Sequence, residues 1–308
     1  WHFAGAGTAA AMLAVLALVY LWMPGGLVQC HLAMRDGLNS GLARTAAAQA
    51  IADQLLTTAL LLIWPSPWSI TLPKLLTAPV WLWLIRRNRP WRPDPAAGRA
   101  SLAGAGRFGR GVLAADALAA LRQQGDNLII AATMGSTALG SYYFAFNAGL
   151  GIVTALASAF GTMALPLLCR AAAGPARTRA LHGLLITGLL LFGPLVAAQA
   201  LLAPLYVPLV FGPGWAFAAP LVSLLCLAAP AQLVAVIASA WLRAQGEAGR
   251  DAGRSLIACA AALGGLWLGA RTGGLPGAAA GLAIGSSIAA ALTLIVILTR
   301  SNRREHTA

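Results

Sequence analysis

Residues 275–299 read LPGAAAGLAIGSSIAAALTLIVILT, and the next five residues read RSNRR. The run carries no charge and is longer than the roughly 20 residues a helix needs to cross the hydrocarbon core of a bilayer. The arginines that follow, Arg300, Arg303 and Arg304, are what a membrane helix carries where it leaves the bilayer on the cytoplasmic side. Gly277, Gly281 and Gly285 repeat at a spacing of four, which lets two helix backbones approach closely.

Similar apolar runs recur upstream. Counting them predicts spans at 3–23, 46–64, 69–86, 111–133, 138–166, 180–211, 215–242 and 255–271, besides 275–299. The composition agrees: 59% of the residues are hydrophobic and 9% charged. A soluble domain carries about 25% charged residues, so this chain cannot cover its surface for water. The fold class is therefore all-α, a polytopic transmembrane helix bundle. Segment 180–211 is too long for one straight span. Gly193 with Pro194, then Pro204 and Pro208, predict a kink followed by a short interfacial piece.

The charges alternate between the gaps. Arg35 and Arg44 lie in 24–45. Arg86, Arg87, Arg89, Arg92, Arg99, Arg107 and Arg110 lie in 86–110. Arg170, Arg177 and Arg179 lie in 167–179, and Arg243, Arg250 and Arg254 in 243–254. The intervening gaps WPSPWS, MGSTALG, FGPGW and RTGGLPG are short, and only Lys74 and Arg271 lie near them. The arginine-rich gaps are therefore read as cytoplasmic, with the N-terminus periplasmic and the C-terminus cytoplasmic. The net charge of +13 is spread over short clusters between apolar runs, not over one continuous face, and this argues against nucleic acid. The chain begins at Trp1 without a recognisable cleavable signal, so an upstream part is expected. The linker RPWRPDPAAGR divides the chain into a first lobe at 1–86, a basic cytoplasmic linker at 87–110, a second lobe at 111–299 and a basic tail at 300–308. Trp64, Trp68, Trp81, Trp83 and Trp215 fall near the expected interfaces, where tryptophan anchors helices.

Four ionisable residues lie inside the expected spans: Asp53, Asp116, Arg122 and Asp126. Each costs about 2.5–3.5 kcal/mol at a helix centre on insertion scales, so each is expected to face a partner or a cavity. At 100° per residue, Asp116, Gln123 and Asn127 fall within about 40° of one another. Arg122 and Asp126 are four apart and able to pair along the helix. Two readings follow. Either that pair is static and fixes packing, or the stripe lines a water-filled cavity. In the second, a carboxylate of Asp126, Asp116 or Asp53 binds H+ or Na+, or Arg122 meets an anionic substrate. The second is favoured, because the pair leaves Asp116, Gln123 and Asn127 to be satisfied. Tyr143, Asn147, Thr154 and Ser158 fall within roughly 60° of arc on the next helix and either line the same cavity or serve packing.

Catalytic patterns are not found. His2, His31, His182 and His306 have no metal-ligand spacing, and the four cysteines, Cys30, Cys169, Cys226 and Cys259, read as small buried hydrophobes. No nucleophile elbow or phosphate loop occurs, and GAGRFGRG at 104–111 has no preceding strand. Asp36, Asp94, Glu247 and Asp251 read as isolated. A membrane polymerase would need a long outer loop, and the outer gaps are short. The expectation is a transporter, not an enzyme, with no cofactor beyond a coupling ion.

Several stretches, in order, resemble polysaccharide-export flippases of the Wzx type, in the superfamily of the multidrug and toxin exporters and the lipid II flippases. LRQQGDNLIIAATMGSTALGSYYFAFNAG at 121–149 resembles the start of that family's second lobe, through Gly125, Asp126, Asn127, Leu139, Gly140 and Tyr142. GTMALPLLCR at 161–170, LVFGPGWAFAAPLVSLLCLAAP at 209–230 and MRDGLNSGLARTAAAQAI at 34–51 resemble further stretches. The resemblance aligns the visible helices with the fourth to twelfth of a two-lobed bundle of twelve or more. It implies an N-terminally truncated chain that does not transport by itself. It further implies alternating access and an undecaprenyl-pyrophosphate-linked oligosaccharide as substrate, moved across the bacterial inner membrane for O-antigen or exopolysaccharide assembly. Polysaccharide polymerase and glycosyltransferases would be its partners besides membrane lipids. Arg122 is the one cavity cation expected from the spans, with Arg86, Arg107 and Arg110 as candidates at the mouth. A small-molecule exporter of the multidrug type, driven by the same ions, is the alternative on this architecture.

Overall fold

The computed structural model describes residues 7–88, 90–91 and 103–305. Most of the basic linker lies outside the described residues, including Arg89, Arg92 and Arg99, as do the end of the tail, His2 and His306. All regular structure among the described residues is helical. It runs α1 (Gly7–Trp22), α2 (Pro24–Asp36), α3 (Asn39–Ile63), α4 (Trp68–Asn88), α5 (Ala103–Arg170), α6 (Pro175–Phe211), a 3-10 helix (Pro213–Ala218), α7 (Ala219–Cys226), α8 (Ala229–Ala244) and α9 (Ala248–Glu305). Seven helical stretches are long and apolar enough to cross a membrane, and α1 and α2 form a further pair bent by 52°. The outside of the helices is apolar: Leu209, Ile63 and Leu62 are each more than 80% exposed. Such side chains are placed for lipid, not water. The protein is an all-α membrane helix bundle.

The chain forms two compact units, Trp1–Arg99 and Ala100–Ala308. In the first, α1, α2 and α3 all pack on α4. The sequence places a gap between spans at 24–45, and the structure fills most of it with helix. Pro24 occupies the first turn of α2, where its missing N–H costs nothing, and Gly37 ends the helix in the left-handed region at φ 80°. The Leu38 N–H then closes on the Ala33 carbonyl at 2.9 Å, and α3 starts two residues after Gly37.

In the second unit, α5 and α9 each turn back on themselves. The α5 reversal is at Gly135, whose φ 85° and ψ 178° are nearly exclusive to glycine. The α9 reversal is at Gly273 and Gly274. Each therefore supplies two antiparallel limbs, 103–134 with 136–170 and 248–272 with 275–305. The α9 limbs meet along a glycine seam. A Cβ at Gly269 would overlap the Gly277 carbonyl, and one at Gly281 the Gly265 carbonyl. This closeness is what the four-residue spacing is for. The two limbs of α5 pack against α8 and α9, around Tyr142, Leu225, Leu233, Ile237, Trp241 and Leu266, all at most 2% exposed.

Helix α6 also departs from expectation. It runs unbroken through Pro194, Pro204 and Pro208, with no separate interfacial piece. In lipid an opened turn finds no water to bond its free carbonyls, which favours keeping the helix. The break falls instead in 215–242, where a turn at Leu227 and Ala228 separates α7 from α8.

Candidate functional site

The polar residues of the second unit converge on Asp251, in the first turn of α9, whose side chain is fully buried. Ser239 of α8 donates to its Oδ2 at 2.6 Å, and Arg243 Nε to the same oxygen at 2.8 Å. Arg254 donates to Oδ1 from Nη2 at 2.9 Å. Arg243 reaches on with Nη2 to Asp116 Oδ1 of α5, at 2.5 Å. Asp251 is thus the centre of a network, not the isolated residue that its sequence position suggests. Two guanidinium groups and a hydroxyl satisfy its carboxylate, as a buried charge requires. Glu247 is likewise paired, with Arg250 at 2.6 Å and Arg300 at 3.8 Å.

Beside this network lies a cavity of about 360 Å³, between both limbs of α5, α8 and the start of α9. Its wall holds Arg122, Arg243 and Arg254 against one lining carboxylate, Asp116. Ser158, Thr162 and Gln123 add neutral polar groups. The cavity lies toward the arginine-bearing ends of these helices, where α5 ends at Arg170 and α8 at Ala244, next to Arg243. Arg243 and Arg254 join Arg122 as lining cations, which a reading of the gaps as loops misses. Arg107 and Arg110 are exposed and line none of the cavities described here. Arg86 belongs to the first unit, where it lines a separate cavity of about 790 Å³ with Gln29 and Trp91.

Arg122 does not pair with Asp126. Its Nη2 donates to Gln232 Oε1 of α8, and among the described residues it makes no ion pair within 4.0 Å. Asp126 is 1% exposed and takes other partners. It accepts the Tyr142 hydroxyl at 3.1 Å and the Asn127 N–H at 2.7 Å. The static ion pair within the helix is therefore absent: Gln232 of α8 takes Arg122, and Asp126 is taken by Tyr142 on the other limb of α5 and by the adjacent N–H. Arg122, Gln123 and Gln232 also border a second, inner cavity of about 90 Å³ with Asp126 and Thr154 on its wall. The Arg122–Gln232 bond stands between the two cavities.

The other expected residues scatter. Asn127 lines neither cavity, and its buried Oδ1 has no hydrogen-bond partner among the described residues. Tyr143 is exposed and lines neither; Asn147 donates to the Tyr143 carbonyl one turn back, at 2.8 Å. Asp53 lies in the first unit, where it accepts the hydroxyl of Thr77 on α4. Among the described residues no group of His, Cys, Asp or Glu is arranged to hold a metal ion.

A helical membrane bundle with a cationic polar cavity in its interior fits a membrane transporter. The polysaccharide biosynthesis protein family is found by comparison: its model matches residues 2–220, most of the chain, and the chain belongs to that family. The match covers Asp116, Arg122 and Asp126 and stops before α8 and α9, which carry Gln232, Arg243 and Arg254. No curated protein and no solved structure matches.

Proposed function

We propose that the protein is a secondary transporter that flips an undecaprenyl-pyrophosphate-linked oligosaccharide from the cytoplasmic to the periplasmic leaflet of the bacterial inner membrane, for O-antigen or exopolysaccharide assembly. The observation that carries the reading is the cavity wall, with three arginines, one carboxylate and several hydroxyls. A diphosphate is the group that such a wall suits. Arginine binds phosphate oxygens bidentately, and the attraction is strong where water is scarce. Hydroxyl and amide groups offer hydrogen bonds to a proximal sugar. The cavity volume is within the range of about 300–1,000 Å³ typical of small-ligand sites, enough for a head group while the prenyl chain stays in lipid. The arginine-rich ends of the helices are read as cytoplasmic, so the substrate is loaded there and released on the far side when the lobes rock.

Asp126 is the favoured site for the coupling H+ or Na+. It is buried, it sits on the inner cavity and it has no ion-pair partner among the described residues. Asp116 is held by Arg243, and Asp53 lines none of the cavities described here, which makes both weaker candidates. Glycosyltransferases would supply the substrate, and a polymerase would consume it. A multidrug-type exporter fits the same fold, but it would tolerate a less basic cytoplasmic side, and the arginines of this wall favour an anionic cargo.

The test is complementation. Arg122→Gln and Arg122→Lys are built into the complete gene product and expressed in a strain that lacks its own flippase. Surface polymer is expected to fall at least tenfold with Gln and less with Lys. Polymer at wild-type level in both would overturn the reading.

A further inference from the structure

The outer surface of the second unit carries another concavity, a groove of about 330 Å³. It lies between the two limbs of α9, with α8 as its floor. Trp241 of α8 forms the floor at 2% exposure, while Ile257, Leu292 and Val296 on the rim are about half exposed. The rim therefore faces whatever surrounds the bundle. The glycine seam ends where Gly285 meets Ala261. Beyond it, toward the arginine end, larger side chains line the space between the limbs.

One end of this apolar groove is cationic, lined by Arg250, Arg254 and Arg300. Arg250 and Arg300 share the carboxylate of Glu247, and Arg254 shares Asp251 with Arg243. With Asp116 also on Arg243, these four arginines meet three carboxylates, so positive charge is left in excess. An apolar slot open to the bilayer that ends in surplus guanidinium groups has the polarity of an amphiphile with an anionic head. Free phosphate gains nothing from the slot, and a neutral lipid gains nothing from the arginines.

We infer that this groove binds one anionic phospholipid of the arginine-side leaflet, its acyl chain against Trp241 and its phosphate between Arg250 and Arg300. Basic pockets between membrane helices on the cytoplasmic side are where such head groups lodge. Arg254 also lines the internal cavity, so the bound phosphate lies beside a residue of the cavity wall. The site depends on the chain lying in a bilayer and not on what the cavity transports, so it stands or falls separately from the proposed function.

The experiment is native mass spectrometry of the purified chain in detergent, titrated with phosphatidylglycerol and with phosphatidylcholine of the same acyl chains. With two arginines at the head group, one phosphatidylglycerol is expected to bind about twenty-fivefold tighter than phosphatidylcholine. Each arginine near a membrane surface contributes about fivefold, so the double variant Arg250→Gln with Arg300→Gln weakens phosphatidylglycerol by roughly twenty-fivefold and leaves phosphatidylcholine unchanged. A Cβ at Gly253 meets nothing within 4 Å, so Gly253→Leu starts into open space on the groove wall and is expected to lower both lipids at least fivefold. Equal binding of the two lipids, or wild-type binding by these variants, overturns the site. So does displacement of phosphatidylglycerol by equimolar undecaprenyl phosphate, which would give the groove to a prenyl lipid.

Discussion

Tyr142 donates its hydroxyl to Asp126 Oδ2 at 3.1 Å, although the two residues stand 16 positions apart on one helical stretch. In a straight helix they would be roughly 24 Å apart, at about 1.5 Å per residue. The bond is thus direct proof of the reversal at Gly135. It also ties the one buried carboxylate of this limb pair to the neighbouring limb, so anything that titrates or replaces Asp126 acts on the α5 hairpin.

Tyr142→Phe removes the donor from a buried carboxylate and keeps the ring. A hydrogen bond to a charged group contributes about 1.5–3 kcal/mol, so the variant is expected to lose stability by that order. Thermal unfolding in detergent measures it, and an unchanged midpoint would show that the hydroxyl is not holding the limbs.

The glycine seam of α9 makes a sharper steric prediction. Gly269→Ala places a methyl group into the Gly277 backbone and is expected to destabilise by about 1–3 kcal/mol or more. Gly264→Ala, where an added Cβ meets nothing, is the control and is expected to be neutral or slightly stabilising. Equal melting of the two variants would contradict the seam.

Asp251 and Asp116 both touch Arg243, yet they should respond very differently. Asp251→Ala takes the carboxylate from part-buried Arg254 and leaves Arg243 with Asp116 alone, and breaking such a buried network costs about 3–5 kcal/mol. Asp116 is 58% exposed, so Asp116→Ala is expected to cost less than about 1 kcal/mol. Denaturation of the two variants side by side checks the ordering.

Orientation is testable through cysteine. Cys169 is exposed next to Arg170, while Cys226 and Cys259 are buried. An impermeant maleimide is expected to label Cys169 in inside-out vesicles and not in intact cells. Labelling of Cys169 from outside intact cells would reverse the assigned topology.

Much of this architecture is legible in the amino-acid sequence. The reversals fall in MGSTALG and RTGGLPG, short glycine-bearing gaps between apolar runs, because the turns need positive φ, which Gly135 and Gly274 adopt without a Cβ clash. Helix α2 is less legible. PGGLVQCHLAMRD is too short and too polar to read as a span, and only Pro24 and Gly37 mark its ends. Of the cavity, Asp116, Arg122 and Gln123 are readable, since they lie on one helix and periodicity orders them. Arg243, Asp251 and Arg254 are not, because arginines beside a loop look alike whether they face water or turn inward.

Composition and the placement of charge by themselves determined that these helices lie in lipid, since transfer of a segment into a bilayer depends on that segment's own residues. Only the tertiary structure decided which polar groups meet. Arg122 bonds Gln232, 110 positions away, and passes over Asp126 one turn along its own helix. The packing of one helix against another sets a side chain's partner, and spacing along the chain records only one of the two surfaces.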